Sequence, residues 1–151
     1  MAPGNILTIG YLNIRGQSSL TTVKQLQIEA FAKFNNCDIL HLQEAHLDSE
    51  SFSTCNFIQS SYNIIENNST NKYGTATLVK SELTFGNIRT DLEGRAIIFD
   101  IGDMTFGIMH MHSETDAQSR SDREHYWCEV LPNLMINSKD TGAWMGSSTE
   151  L

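Results

Sequence analysis

Apolar residues along this chain come in short bursts separated by polar, turn-forming stretches, and the spacing within each burst predicts an element. Ile6, Leu7, Ile9, Tyr11, Leu12 and Ile14 form a nearly continuous run, the pattern of a strand covered on both faces. The loop Arg15-Gly16-Gln17-Ser18-Ser19 follows, and then Leu20 to Phe34, where Val23, Leu26, Ala30, Phe31 and Phe34 recur at the spacing of a helix's apolar face. Asn35-Asn36 ends that helix, and Asp38 to Gln43 forms a second strand. Strand, helix and strand within about forty residues make a βαβ unit, whose two strands run parallel.

From His46 to Asn71 the chain is polar and irregular, anchored by Phe52, Phe57, Tyr62, Ile64 and Ile65, with a short strand expected over Tyr62 to Glu66. Thr75 to Val79 alternates after Gly74 and reads as a strand, as do Ile88 to Thr90, Ala96 to Ile101 and Met104 to Met111. Gly102-Asp103 is a two-residue link, which makes the last two an antiparallel hairpin. A final helix is marked by Ser121 and Glu124 at capping-box spacing and by the stripe Tyr126, Trp127, Val130, Leu131 and Leu134. Pro132 should kink it. Ala143-Trp144-Met145 then starts another strand, with Leu151 only six residues beyond.

Composition narrows the class. The 151 residues are 40% hydrophobic and 19% charged, which suits one globular domain over 1–151 rather than a disordered chain. The net charge of -8, from 10 Lys+Arg against 18 Asp+Glu, counts against tight stand-alone binding to nucleic acid, because counterion release favours basic proteins. It leaves room for a metal-dependent nuclease, whose carboxylates make the site itself acidic. Cys37, Cys55 and Cys128 form no Cys-x-x-Cys pair and read as reduced thiols of an intracellular protein. No signal peptide and no membrane span is indicated.

Two polar residues close the strands of the βαβ unit: Asn13 in Leu12-Asn13-Ile14 and Glu44 in Gln43-Glu44-Ala45. Parallel strands finish on one edge of the sheet, where α/β proteins place ligands, so these side chains could converge. A carboxylate there can hold Mg²⁺ and an amide can position a phosphate or a water. On spacing alone, Asn13 capping a loop and Glu44 as a solvated strand end is the simpler account. His110 and His112 share a strand face, as metal ligands do, but no third ligand accompanies them. His41-Leu42-Gln43-Glu44-Ala45-His46 lacks the His-Glu-x-x-His spacing of a zinc protease. Arg95 after Gly94 reads as a brace for a turn or the site, and Arg120 and Arg123 beside Asp116 and Asp122 as a solvated helix start that could touch phosphates.

Leu-Asn-Ile-Arg-Gly at 12–16, Leu-Gln-Glu-Ala at 42–45, Gly74-Thr75-Ala76-Thr77 and Gly94-Arg95 fall in the order and rough spacing of the endonuclease/exonuclease/phosphatase superfamily. The stretch from Ser113 to Gly142, above all Thr115 to Glu124, resembles LINE-type retrotransposon endonucleases in particular. The resemblance implies an α/β fold, a partial four-layered α/β sandwich (DNase I-like) spanning roughly the first half to two thirds. It implies Mg²⁺-dependent hydrolysis of DNA phosphodiesters and a nuclear location. Asn13 would be the first active-site amide and Glu44 the metal-binding carboxylate. His110 would stand where the family has a phosphate-contacting tyrosine, and Arg95 and Arg120 would face substrate. The family's Gly-Asp-x-Asn reads Gly146-Ser147-Ser148-Thr149 here, and no Ser-Asp-His segment occurs by Leu151. One positioned general base is worth roughly 10²–10⁴ in rate, so a truncated, largely inactive remnant is expected. A missing second sheet would leave an unpaired edge that invites self-association. A non-catalytic interaction module and another phosphoesterase of the same superfamily are the rival readings.

Overall fold

A computed structural model of the protein describes residues 6–14, 21–45, 47, 51–68, 74–111 and 115–147. In β2 (Ile39–Gln43) every residue is buried, because the strand is covered on both sides. Leu40 and Leu42 face α1 (Thr22–Phe34), while Ile39, His41 and Gln43 face a second sheet. The first sheet has the order β1-β2-β4-β3, with β1 at Ile9–Asn13, β3 at Tyr62–Asn68 and β4 at Gly74–Lys80. As expected of the βαβ unit, β1 and β2 pair in parallel, Asn13 opposite Gln43.

The second sheet has the order β5-β6-β7-β8, with β5 at Gly86–Thr90, β6 at Ala96–Ile101, β7 at Met104–His110 and β8 at Thr141–Ser147. β6 and β7 form the antiparallel hairpin read from Gly102-Asp103, and Gly102 takes the left-handed φ of +56 that the tight link requires. β8 runs parallel to β7. The second sheet expected to be missing is therefore present with four strands, because Thr141–Ser147 adds a full strand two residues earlier than the apolar triplet suggested. Arg89 anchors the chain leading into it. Its guanidinium reaches Asp100 Oδ1 (2.9 Å), the Leu134 carbonyl (3.1 Å) and Ser138 Oγ (2.7 Å).

Three apolar layers hold the sandwich together. Ile28 and Ala32 of α1 pack with Leu40, Leu42, Ala76 and Leu78. Ile39, Ile65, Val79, Ile97, Phe99, Phe106 and Ile108 fill the space between the sheets, where Phe99 and Phe106 stack at 5.8 Å. Ala96, Ile98 and Met109 pack with Tyr126 and Leu131 on the far side. The order is helix, sheet, sheet, helix.

The structure corrects the expected face of α1. Of the expected face Phe31 does pack against the core, but it is joined there by Gln25, Ile28 and Ala32, whereas Val23 (64%), Leu26 (49%) and Phe34 (90%) are exposed. The helix carries two apolar stripes, and the one with the smaller Ala32 packs onto the sheet. Gln25 is tolerated there because its Oε1 accepts from the Phe52 amide (3.2 Å). β1 is also only half-buried, since it lies at the sheet's edge. Within the stretch read as irregular, α2 (Asn56–Ser61) forms a short helix that buries Ile58; six residues are too few to show a period.

The last helix starts earlier than the Ser121–Glu124 pattern implied. α3 (Ala117–His125) is capped by Asp116, whose carboxylate accepts from the amide (2.9 Å) and hydroxyl (2.9 Å) of Ser119. Those bonds hold the Asp116 carboxyl below its ordinary pKa. Ahead of Pro132 the helix widens into a π-turn over Tyr126–Val130, with the Leu131 amide reaching the Tyr126 carbonyl, before α4 (Leu131–Leu134) resumes. Proline has no amide to continue the ladder, and the bulge absorbs the break. Cys37 and Cys55 are buried and Cys128 exposed, all free thiols. Among the described residues no helix is long and apolar enough to cross a membrane.

Candidate active site

Parallel pairing of β1 and β2 brings their carboxyl ends to one edge of the first sheet. There Asn13 Nδ2 donates to Glu44 Oε1 at 3.2 Å. Glu44 leaves the strand in a left-handed conformation, φ +52, a region costly to a residue with a side chain and frequent at functional sites. The Ala45 amide then donates to the Gly74 carbonyl (3.0 Å). A Cβ on Gly74 would collide with the Ala45 carbonyl, so this glycine permits the close approach that aims Glu44.

From the second sheet, His110 at the end of β7 brings Nε2 to 3.9 Å from Glu44 Oε1. Its side chain is 6% exposed and that of Glu44 31%, so solvent and ligand reach the carboxylate more readily than the imidazole. Behind His110 lies Arg95, almost wholly buried. Its Nη1 donates to the His110 carbonyl (3.1 Å), its Nε to Glu93 Oε2 (2.8 Å), and the His110 amide donates to its carbonyl (2.8 Å). Arg120 is exposed on α3, and its Nε and Nη2 both donate to the Thr115 carbonyl at 3.2 Å. His112, His46 and Arg15 lie outside the described residues.

The sheets are tied beneath this site by polar groups that the strand pattern did not single out. Gln43 Nε2 donates to the Met109 carbonyl (3.0 Å), Thr75 Oγ1 to the Gly94 carbonyl (3.3 Å), and Asn67 Nδ2 to the Ala96 carbonyl and Asp91 Oδ1 (2.8 Å each). Two residues further in along β2, His41 Nδ1 lies 2.8 Å from Thr77 Oγ1, and burial lowers the imidazole pKa to about 4. His41 is thus a neutral core residue. The one legible signal for this polar lining is the alternation Thr75, Thr77 along β4. Tyr126 packs close by, and burial together with the Asp91 and Glu93 carboxylates pushes its hydroxyl pKa far up.

Asn13, Glu44 and His110 present an amide, a carboxylate and an imidazole at one mouth between two sheets. Among the described residues no cluster of three or more His, Cys, Asp or Glu could hold a metal. Asn13, Glu44 and His110 by themselves supply fewer donors than the four of a closed transition-metal centre. The set fits Mg²⁺, which is content with one or two carboxylates and completes its shell with water and substrate phosphate.

A layered pair of mixed sheets with helices outside, and this mouth at the carboxyl ends of β1, β2 and β7, is a partial DNase I-like fold. Solved structures of the endonuclease/exonuclease/phosphatase superfamily share it. An AP endonuclease from Archaeoglobus fulgidus matches with a TM-score of 0.70 and 18% identity over 93% of this chain and 56% of its own. The 3′-5′ exonuclease NExo from Neisseria meningitidis matches at 0.70 and 16% identity over 93% and 57%. Truncated Caenorhabditis elegans TDP2 matches at 0.59 and 18% identity over 93% and 61%. The chain thus spans about half the length of the structures it matches, from 46% to 61%. No protein-family model and no curated protein matches the sequence.

Proposed function

We propose that this chain carries part of the machinery of a Mg²⁺-dependent DNA endonuclease of the LINE retroelement kind, and that it turns over phosphodiesters weakly or not at all. The meeting of Asn13, Glu44 and His110 supports this most directly. Glu44 is the residue to hold the metal, which when bound neutralises phosphate charge. Asn13 orients a phosphate oxygen or water through its amide, and His110 offers a ring nitrogen to a phosphate oxygen where the family has tyrosine. Arg120, exposed on α3, is the further side chain to contact phosphate, exchanging its bonds to the Thr115 carbonyl for it, and Arg95 sets the position of His110. A nuclear location follows from the same reading.

The low turnover rests on β8. Its Ser147 is in register with His110, and the chain reads Gly-Ser-Ser-Thr over 146–149 where the family it resembles carries its aspartate and asparagine. Groups that act as a unit fail together.

Incubation with supercoiled plasmid in Mg²⁺ and in EDTA tests the reading. Wild type and Glu44→Gln should both leave the plasmid supercoiled, while calorimetry shows weak Mg²⁺ binding to wild type that Glu44→Gln loses. Nicking in Mg²⁺ abolished by Glu44→Gln would refute the low turnover and strengthen the nuclease assignment. Absence of both Mg²⁺ and duplex binding would remove that assignment. A second reading, an interaction module that self-associates, is favoured by the outward apolar stripe of α1 and the open edges of β1 and β8; a monomer on a sizing column removes it.

A further inference from the structure

Tyr126 opens the π-turn of the last helix and is 1% exposed. Its ring packs with Ala96, Ile98, Met109 and Met111, contacts that a phenylalanine would make as well. The hydroxyl is what needs a reason. It lies against the Asp91 carboxylate, with Glu93 and Arg95 close by, yet among the described residues it makes no well-formed hydrogen bond. Burial and the two carboxylates raise its pKa, so the oxygen keeps its proton and faces Asp91 as a donor. A buried hydroxyl left incompletely bonded costs stability, and packing alone would favour phenylalanine here.

Asp91 is the joint through which this hydroxyl reaches the candidate active site. Its Oδ1 accepts from Asn67 Nδ2 and from the amides of Arg95 and Ala96, each at 2.8 Å, and its Oδ2 accepts from the Glu93 amide at 3.3 Å. Arg95 in turn holds His110 on both sides, its carbonyl accepting from the His110 amide and its Nη1 donating to the His110 carbonyl. At the far end His110 Nε2 stands 3.9 Å from Glu44 Oε1. Tyr126 on the helix, Asp91 and Arg95 in the turn between β5 and β6, and His110 at the end of β7 thus form one line of buried contacts. Polar contacts keep directions as well as distances, so a shift at the first member is passed to the last.

We propose that Tyr126 is a positioning residue for His110, its hydroxyl fixing the Asp91 carboxylate and, through Arg95, the place of the imidazole opposite Glu44. The role rests on the nuclease reading above and adds to it a residue of the outer helix that touches neither metal nor substrate. A tyrosine present for packing alone would cost nothing at His110 on becoming phenylalanine. This one costs alignment and leaves stability intact.

Tyr126→Phe and Asp91→Asn in the full chain, compared with wild type by thermal melts and by the NMR ring signals of His110 without and with Mg²⁺, test the role. Tyr126→Phe should melt at or above the wild-type temperature, yet shift the His110 signals and reduce their displacement by Mg²⁺. Asp91→Asn should shift them further and melt lower. His41, which lies outside this line of contacts, should keep its signals in Tyr126→Phe. His110 signals of Tyr126→Phe that match wild type would overturn the positioning role, and this variant decides the matter even if Asp91→Asn fails to fold. Equal shifts of His41 and His110 would also overturn it, as a general loosening of the core. A wild-type protein whose His110 signals ignore Mg²⁺ would count against the metal reading instead, and the metal-free signals would still decide the role of Tyr126.

Discussion

Arg95 and His110 grip each other twice: the His110 amide donates to the Arg95 carbonyl at 2.8 Å, and Arg95 Nη1 donates to the His110 carbonyl at 3.1 Å. The guanidinium thus holds the backbone of His110, while its Nε reaches the Glu93 carboxylate. A lysine offers one ammonium where arginine offers a planar fork. Arg95→Lys should cost about 2 kcal/mol in urea unfolding, the scale of a charge-assisted bond lost in the interior, and should shift the His110 ring resonances. An unshifted His110 spectrum would show that the pair is not coupled.

The backbone at Glu44 reverses a familiar order of stability. At φ +52 a Cβ is a liability that glycine lacks, so Glu44→Gly should be more stable than Glu44→Ala by about 1 kcal/mol. Thermal melts of the two variants decide this, and an alanine variant that matches or exceeds the glycine variant would contradict the left-handed turn.

Acid should unfold the protein partly through His41. Its folded pKa of about 4 lies below the ordinary 6.5, so between these values the unfolded chain takes up a proton that the folded one refuses. Stability is therefore full above pH 6.5 and falls as the pH drops towards 4, by about 3 kcal/mol in total. His41→Gln, which cannot titrate, should show a flatter melting temperature between pH 7 and 4.5. Parallel profiles would rule out this origin.

The two faces of α1 give a direct contrast. Ile28→Ala, on the sheet side, should cost about 3 kcal/mol, whereas Phe34→Lys, on the outward side, should change stability by less than about 0.5 kcal/mol. The reverse result would restore the orientation first read from the sequence.

That orientation shows where the sequence was legible and where it was not. The βαβ unit, the Gly102 hairpin and the α/β class follow from runs and turns that are local, and all of them stand in the structure. Choosing between two apolar stripes on α1 is not local. Val23, Leu26, Ala30, Phe31 and Phe34 have the better period, but apart from Phe31 the sheet side takes Ile28 and Ala32 instead, with Gln25 accepting from the Phe52 amide. At the site, Asn13 and Glu44 were visible because strand ends of a parallel pair must converge. Gln43, Asn67 and Asp91 were not, because their bonds cross between sheets from residues 24 to 66 positions apart. The left-handed twist at Glu44 had no glycine to announce it.

Those cross-sheet bonds lie at the end of the sandwich that carries the candidate site, with the stacked rings of Phe99 and Phe106 further in. Hydrocarbon contacts resist separation but tolerate sliding, whereas a hydrogen bond fixes both a distance and a direction. The two halves of the mouth therefore share a rigid pivot, and any shear of one sheet over the other is taken up away from it. Tolerances between the side chains from β2 and β7 are set there, before any ligand arrives.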